Sequence, residues 1–368
     1  MMEIEGIIAE KIIARTKGLI PYDINVMNRQ GRVVASTDTS RVGLVHEGAS
    51  RVIERREPVI VDQASTRYLT GARPGINLPI EYQGSCIGVV GITGEPQQVC
   101  DLGALLKMTA ELLVEQSREK DAAQLLNAER EECLKQLVDG RLDETTAQQR
   151  VKSLQLQIRY PALCVIIQPE SPHRLQQQKL DLTPALNLRV NGLFFYRQGG
   201  GLTLILEAGD KAKVDAKIAQ LVELLAQPLT IGVGCRVDSL SGLALSYKTA
   251  TAAMQFGRPE ALGETATQYC YDSHKEKVLV SSSAQGWQLA ELTKEYRALI
   301  EQDPHGTLRL TLHTLISSSA DMLSCASQLD IHRNTLRYRL DRIHDITGVD
   351  YKKLDQLLRL YLGKIILD

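Results

Sequence analysis

The spacing of apolar residues changes several times along the chain, and each change predicts an element. Ile4, Ile7, Ile8 and Ile12 recur at helical spacing among Lys11 and Arg15, and Pro21 closes that helix. Ile24 to Asn28 and Arg32 to Ser36 flank Arg29-Gln30-Gly31, which predicts strand, turn, strand. A polar loop follows from Thr37 to Val45. His46 to Arg55 predicts a helix that Glu57-Pro58 closes, and Val59 to Val61 a short extended segment. From Arg73 to Ile80 the chain leads into a hairpin that turns at Gln83-Gly84 and returns through Cys86 to Thr93.

The order helix, hairpin, helix, hairpin, helix predicts a small antiparallel α+β sensor of PAS or Cache type. Beyond Gly103 no Gly or Pro occurs until Gly140, and one continuous helix there would be about 54 Å long at about 1.5 Å per residue. Leu105, Leu106, Leu112, Leu113, Leu125, Leu126, Leu134 and Leu137 supply its apolar faces. Two readings stay open for it. One is a dimer or coiled-coil signal helix, with an imperfect heptad. The other is a domain-packing helix with a second helix after a break near Ser117 to Asp121.

In the middle region Pro161 to Gln168 is a buried-strand run. Ser171 to Leu188 is polar and Gln-rich and carries Pro172 and Pro184. Gly192 to Arg197 and Leu202 to Glu207 flank Gln198-Gly199-Gly200-Gly201, a hairpin. A helix over Val214 to Leu225, a strand over Leu229 to Cys235, a helix over Leu240 to Phe256 and a strand over Gln268 to Asp272 complete an α/β pattern. The C-terminal region is all helical. Trp287 to Ile300, then Leu308, Leu312, Leu315 and Ile316, mark two helices, and Leu354 to Ile366 a closing apolar one. Between them Asp321 to Leu329 is a short helix, and Asp330-Ile331-His332 a tight break. The next helix has a narrow buried stripe of Leu336, Leu340 and Ile343, with Asn334, Tyr338, Asp341 and Asp345 opposite. Two helices, a three-residue turn and a basic second helix describe a helix-turn-helix. The expected fold class is multidomain α+β. A sensor with its connecting helix covers 1–135, an α/β domain 141–275 and an all-α DNA-binding domain 285–368.

Composition bounds the function. The 368 residues carry a net charge of −1, so nucleic-acid contact must come from a local patch. Residues 331–353 supply one, because Arg333, Arg337, Arg339, Arg342, Lys352 and Lys353 outnumber Asp341, Asp345 and Asp350. Seven scattered cysteines without paired spacing fit a reducing cytosol and a cytoplasmic protein. Charges spread from Met1 to Ile20 argue against a signal peptide, and no apolar run suits a membrane span. The seven histidines include no His-x-x-x-His and no cluster with cysteine, so no metal, cofactor or catalytic set is expected.

Two kinds of site are expected. A helix fits the major groove, where Arg and Asn in its first turns can read base edges and its first N–H groups can hold a phosphate. His332 is placed as N-cap or first-turn residue. Arg333, Asn334, Thr335 and Tyr338 are the candidates for the bases. Arg337, Arg339 and Arg342 are candidates for phosphates, Arg339 lying close enough to the buried side to form an internal pair instead. In the sensor, Arg41, Gly43, His46, Glu47 and Gly48 sit in a loop entering a helix, and Arg73, Gly75 and Asn77 in a loop entering a strand. A small anion needs a cation, free N–H groups and glycines that allow close approach. A two-ended dicarboxylate could use both loops.

The same residues carry a resemblance. Ile331 to Ile343, Ile-His-Arg-Asn-Thr-Leu-Arg-Tyr-Arg-Leu-Asp-Arg-Ile, resembles the helix-turn-helix shared by purine-catabolism and carbohydrate diacid regulators. Asp38 to Ala49, with Val42-Gly-Leu-Val-His-Glu-Gly-Ala, Arg73 to Pro79 and Gly88 to Pro96 resemble the sugar-diacid recognition domain. The match covers roughly residues 3–135, and the family implies sensing of hydroxy-acids and diacids such as glycerate, glucarate and galactarate. Ile231-Gly232-Val233-Gly234 with Ser246 to Ala250 resembles the degenerate GGDEF-like domain of those regulators. The resemblance implies a bacterial transcriptional regulator, an activator, with a double-stranded DNA operator, a small organic acid effector and a homodimer or higher homo-oligomer. Two rivals stay open: a purine-type effector, and a nucleotide-binding or cyclase-like middle domain. Against the latter, Gly199-Gly200-Gly201 is followed by Leu202-Thr203, with no carboxylate to hold Mg²⁺.

Overall fold

The computed structural model describes residue 4 and residues 6–68, 73–190, 192–262, 265–284 and 286–368. They fall into two compact units, within residues 1–128 and 129–368. The first holds α1 (Gly6–Thr16), β1 (Ile24–Met27), β2 (Val33–Ser36), α2 (Glu47–Arg55), β3 (Val59–Val61), β4 (Gly75–Tyr82) and β5 (Ser85–Thr93). It also holds the start of the 43-residue helix α3 (Pro96–Val138). The strands form one antiparallel sheet in the order β2-β1-β5-β4-β3. Alternation along each strand sends Ile24, Val26, Ile76, Leu78, Val90 and Ile92 to one face. There Ile8 and Ile12 of α1 and Leu106, Ala110 and Leu113 of α3 cover them.

The other face is covered by α2, whose Ala49 and Val52 pack on Met27, Val33 and Val89. A bulge at Val34 lets both Val33 and Ser36 face α2, although three residues apart they would otherwise point to opposite sides. That register builds a polar row across the face: Ser36 stands opposite Asn25, Asn25 opposite Gly91, and Gly91 opposite Asn77.

Helix α3 does not break near Ser117 to Asp121. With no Gly or Pro between Gly103 and Gly140, no residue there carries the helix penalty of about 1–3 kcal/mol that would favour a break. Its last turns, Cys133, Leu134, Leu137 and Val138, belong to a core of the second unit.

That unit continues with α4 (Glu144–Ser153), β6 (Ala162–Pro169), α5 (Pro172–Gln177), α6 (Lys179–Val190), β7 (Leu193–Tyr196), β8 (Leu202–Glu207) and α7 (Lys211–Leu225). Then come β9 (Leu229–Val233), α8 (Leu243–Phe256), β10 (Glu260–Leu262), β11 (Ala266–Cys270) and α9 (Lys275–Ser283). The six strands lie in the order β10-β11-β9-β6-β8-β7, and β11 with β9 is the parallel pair. The Gln-rich stretch from Ser171 to Leu188 is helical, as α5 and α6. Pro172 sits in a first turn, where its missing N–H costs nothing, and Leu175 and Leu186 are fully buried anchors.

The glycines of Ile231 to Gly234 have a packing role. A methyl group on Gly234 would lie 1.9 Å from the Ser246 carbonyl oxygen, so α8 can seat this closely on the sheet only over glycine. Ser246 then locks the seat. Its hydroxyl accepts from the Cys164 N–H (2.8 Å) and donates to the Cys235 carbonyl (2.7 Å).

Helices α10 (Trp287–Gln302), α11 (Thr307–Ser317), α12 (Met322–Gln328), α13 (Arg333–Thr347) and α14 (Leu354–Leu367) enclose their own core of Leu299, Leu312, Leu336, Leu340, Ile343 and Leu360. All seven cysteines are free. Among the described residues no helix is long and apolar enough to cross a membrane.

Candidate functional site

In the first unit the loop from Thr37 to His46 lies beside the polar row. Asp38 caps a short turn over Thr39–Arg41, accepting from the Ser40 N–H (3.2 Å) and hydroxyl (2.6 Å). The hydroxyl bond holds the Asp38 carboxyl below its ordinary range. This turn carries Arg41 inward, to 7% exposure. His46 is the N-cap of α2 rather than a residue within it. Its Nδ1 accepts from the Ala49 N–H at 3.3 Å. Burial, and then the charge of Arg41, hold the His46 pKa down to about 4. The ring is therefore neutral near pH 7, and an accepting Nδ1 leaves its proton on Nε2.

Asn77 lies directly beneath. A methyl group on Gly48 would stand 3.0 Å from Asn77 Nδ2 and 3.1 Å from His46 Cε1, and one on Gly91 would stand 2.7 Å from Asn77 Oδ1. The carboxamide is thus held between two glycines. It is 4% exposed and hydrogen-bonds to none of the described residues. Its neighbour in the row, Asn25, differs: its Oδ1 accepts from the Ser36 hydroxyl at 2.8 Å.

The structure brings Arg41, His46, Gly48 and Asn77 together. Arg73 is more exposed and reaches Asp23 (3.4 Å) and Asp38 (3.6 Å). Its charge, like those of Asp23 and Asp38, acts on Arg41, so the two loops meet in one electrostatic cluster. The remaining candidates shape the loops. The Gly43 carbonyl accepts from the Arg32 guanidinium. Glu47 pairs with Arg51 at 3.6 Å. Gly75 runs so close to β5 that a methyl group would stand 2.1 Å from the Ile92 carbonyl oxygen. A groove of about 410 Å³, lined by residues including Lys17, Tyr22, Asp23, Thr37 and Thr93, opens at Asp23. Sequence spacing missed Asn25, Ser36 and Gly91. The one available signal was a lone Asn inside the apolar run Ile24 to Met27.

In the second unit α12 and α13 form the helix-turn-helix. The Asp321 carboxylate accepts from the Leu323 and Ser324 N–H groups to start α12. Asp330, in the left-handed region at φ 52°, makes the turn, and His332 caps α13 by accepting from the Asn334 N–H at 3.3 Å. Leu336, Leu340 and Ile343 are fully buried. Arg333, Asn334, Thr335, Arg337, Tyr338 and Arg342 are exposed. Arg337 pairs weakly with Asp341, one turn on, at 3.9 Å. Arg339 is half-buried and donates to the Thr311 hydroxyl of α11 at 3.5 Å.

Known families align with this layout. Residues 4–137 match the family described as sugar diacid recognition, 139–256 the GGDEF-like domain, and 308–365 the PucR C-terminal helix-turn-helix domain. Over 370 residues the chain is 32% identical to the carbohydrate diacid regulator of Escherichia coli, with 96% of each chain covered. The chain belongs to the carbohydrate diacid regulator family. An uncharacterised protein of Haemophilus influenzae is 30% identical over 99% of this chain and 100% of its own. One from Bacillus subtilis is 25% identical over 100% and 99%. Membership and the helix-turn-helix make the protein a transcriptional regulator, not an enzyme, with DNA as its partner.

Proposed function

We propose that this family member activates genes for the uptake and catabolism of a small hydroxy-acid or sugar diacid, such as glycerate, glucarate or galactarate, when that acid binds its first unit. The observation that carries this reading is the buried cluster of Arg41, His46, Gly48 and Asn77 at the start of α2, inside the segment that matches sugar diacid recognition. Arg41 meets one carboxylate, helped by the first N–H groups of α2. Arg73 meets a second by exchanging Asp23 and Asp38 for the ligand. Gly43, Glu47 and Gly75 shape the loops that carry these groups.

The sheet order, with helices on both faces, supports a sensor of PAS or Cache type. We take 1–135 as the sensor with its connecting helix, 141–275 as the GGDEF-like domain and 285–368 as the reader. Arg333, Asn334, Thr335 and Tyr338 address the bases of a double-stranded operator, His332 caps the helix that carries them, and Arg337 and Arg342 hold its phosphates, while Arg339 turns inward to Thr311. The regulator acts in the cytoplasm as a homodimer or higher homo-oligomer. Exposed Leu105, Met108 and Leu112, at heptad spacing on α3, support pairing through that helix. The acid shifts the balance between arrangements of α3 because it binds one of them more tightly.

The test is thermal unfolding of the full chain against glycerate, glucarate, galactarate, tartrate, succinate and a purine set. A ligand present at about 100 times its Kd adds about 2.7 kcal/mol to the unit it binds. An upward shift with an acid, lost in Arg41→Gln, is expected. A shift with purines alone would replace the acid by a purine effector, in keeping with the PucR-type reader.

A further inference from the structure

We infer that Asn77 reads a hydroxyl of the effector, and that the polar row Ser36–Asn25–Gly91–Asn77 is the floor of the effector site. The inference rests on the proposed binding of an acid at Arg41. It gives Asn77 a specific role and adds Asn25, Ser36 and Gly91, which the sequence spacing does not single out.

Within the row the two asparagines differ. Asn25 is partnered by Ser36, whereas Asn77 is equally buried and has no partner among the described residues. Its amide ends are therefore left to whatever reaches them from solution. Gly91 and Gly48 leave room for it, one at its oxygen end and one at its nitrogen end.

The ends of that carboxamide define the ligand group that suits it. Oδ1 accepts and Nδ2 donates. A hydroxyl does both and so answers both ends, whereas a carboxylate only accepts and would face Oδ1 without a proton. Beside it, His46 is a neutral donor at Nε2, because its Nδ1 already accepts from the Ala49 N–H. Charge in the cluster comes from Arg41, with Arg73 held by Asp23 and Asp38. The cluster therefore has a charged end for the carboxylate and a neutral end that both gives and takes hydrogen bonds. That pattern suits a hydroxyl on the carbon next to the acid group.

The experiment uses the full chain and two matched pairs, tartrate with succinate and glycerate with 3-hydroxypropanoate. In each pair the second compound lacks the hydroxyl beside the carboxylate. Unfolding temperatures are titrated for the wild type and for Asn77→Leu, which keeps the branched outline, though with bulkier methyl ends, and removes both hydrogen-bonding ends. The expected result is a wild-type preference for the hydroxylated member of at least one pair by more than about tenfold in Kd. In Asn77→Leu that preference shrinks to within about threefold, in a chain whose cooperative unfolding without ligand shows that it is folded. Equal binding of both members of each pair by the wild type would overturn the inference and leave acid binding standing. So would a preference that survives Asn77→Leu. Binding of no acid at all would remove the site together with its floor.

Discussion

The proposed DNA reader keeps its chemistry on one short exposed helix, from His332 to Arg342, while the proposed effector site collects its groups from segments spread between Asn25 and Gly91 and buries most of them. In that helix three aliphatics hold the core side, and the exposed Arg333, Asn334, Thr335 and Tyr338 are the residues proposed for the groove. Anchoring and reading are done by different side chains. In the effector site the same side chains do both: His46 caps α2 and offers a donor, and Gly48 lets α2 approach and lets Asn77 lie flat. Function should therefore separate from stability in the reader and not in the effector site.

The largest expected effect tests the anchoring half of that contrast. Leu340→Ala removes a fully buried side chain from the core under α13 and should cost about 2–5 kcal/mol, with loss of DNA binding as the helix loosens. Denaturant unfolding of the second unit measures it. At the exposed tip the outcome reverses. Arg333→Ala or Asn334→Ala should cost about 1–3 kcal/mol of discrimination between bases, read by competition between operator variants, with no change in unfolding. A fall in stability for Asn334→Ala comparable to that of Leu340→Ala would erase the division of labour.

In the effector site a titration shows the coupling. His46 is held down to about 4 in the folded chain by burial and Arg41, against about 6.5 when unfolded. Between those values the unfolded chain binds a proton that the folded chain refuses. Stability is therefore full above about pH 6.5, falls as the pH drops toward 4 and levels off below it, by at most about 3 kcal/mol. His46→Asn keeps a capping side chain and cannot titrate, so its unfolding temperature should follow pH less steeply across that window. Equal slopes for the two proteins would mean that His46 is solvated in the folded state.

The contrast also explains what could be read from residues alone. The stripe of Leu336, Leu340 and Ile343, the cap at His332 and the exposed arginines are local consequences of helical period, so spacing suffices. Arg41, His46 and Asn77 could be nominated by type, as cations and donors in loops entering elements. Their convergence could not, because it depends on which strands neighbour β5 and on the bulge at Val34 that turns Ser36 toward α2. Nothing local ties Gly91 to Asn77, fourteen positions earlier and one strand away. The helices α5 and α6 were masked in another way, since a Gln-rich composition hides two leucines that anchor them. Gly75 looked like a ligand glycine, but the Ile92 carbonyl accounts for it.

The smallest expected effect lies within the reader, where the division of labour is itself divided. Arg337 and Arg339 are two residues apart, and the helical period points them in different directions. The exposed pair of Arg337 with Asp341 is worth only about 0.3–0.5 kcal/mol, so Arg337→Gln should leave unfolding almost unchanged. If Arg337 holds a phosphate, the same change should lower the slope of log affinity against log salt by about one, evenly across operator sequences. Arg339 spends its guanidinium on Thr311, which is fully buried. Arg339→Gln should therefore lower stability slightly and leave the salt slope as it was. Equal losses of slope in the two variants would show that α13 turns its half-buried flank to the DNA backbone, and the anchoring and reading faces would then overlap as they do around His46.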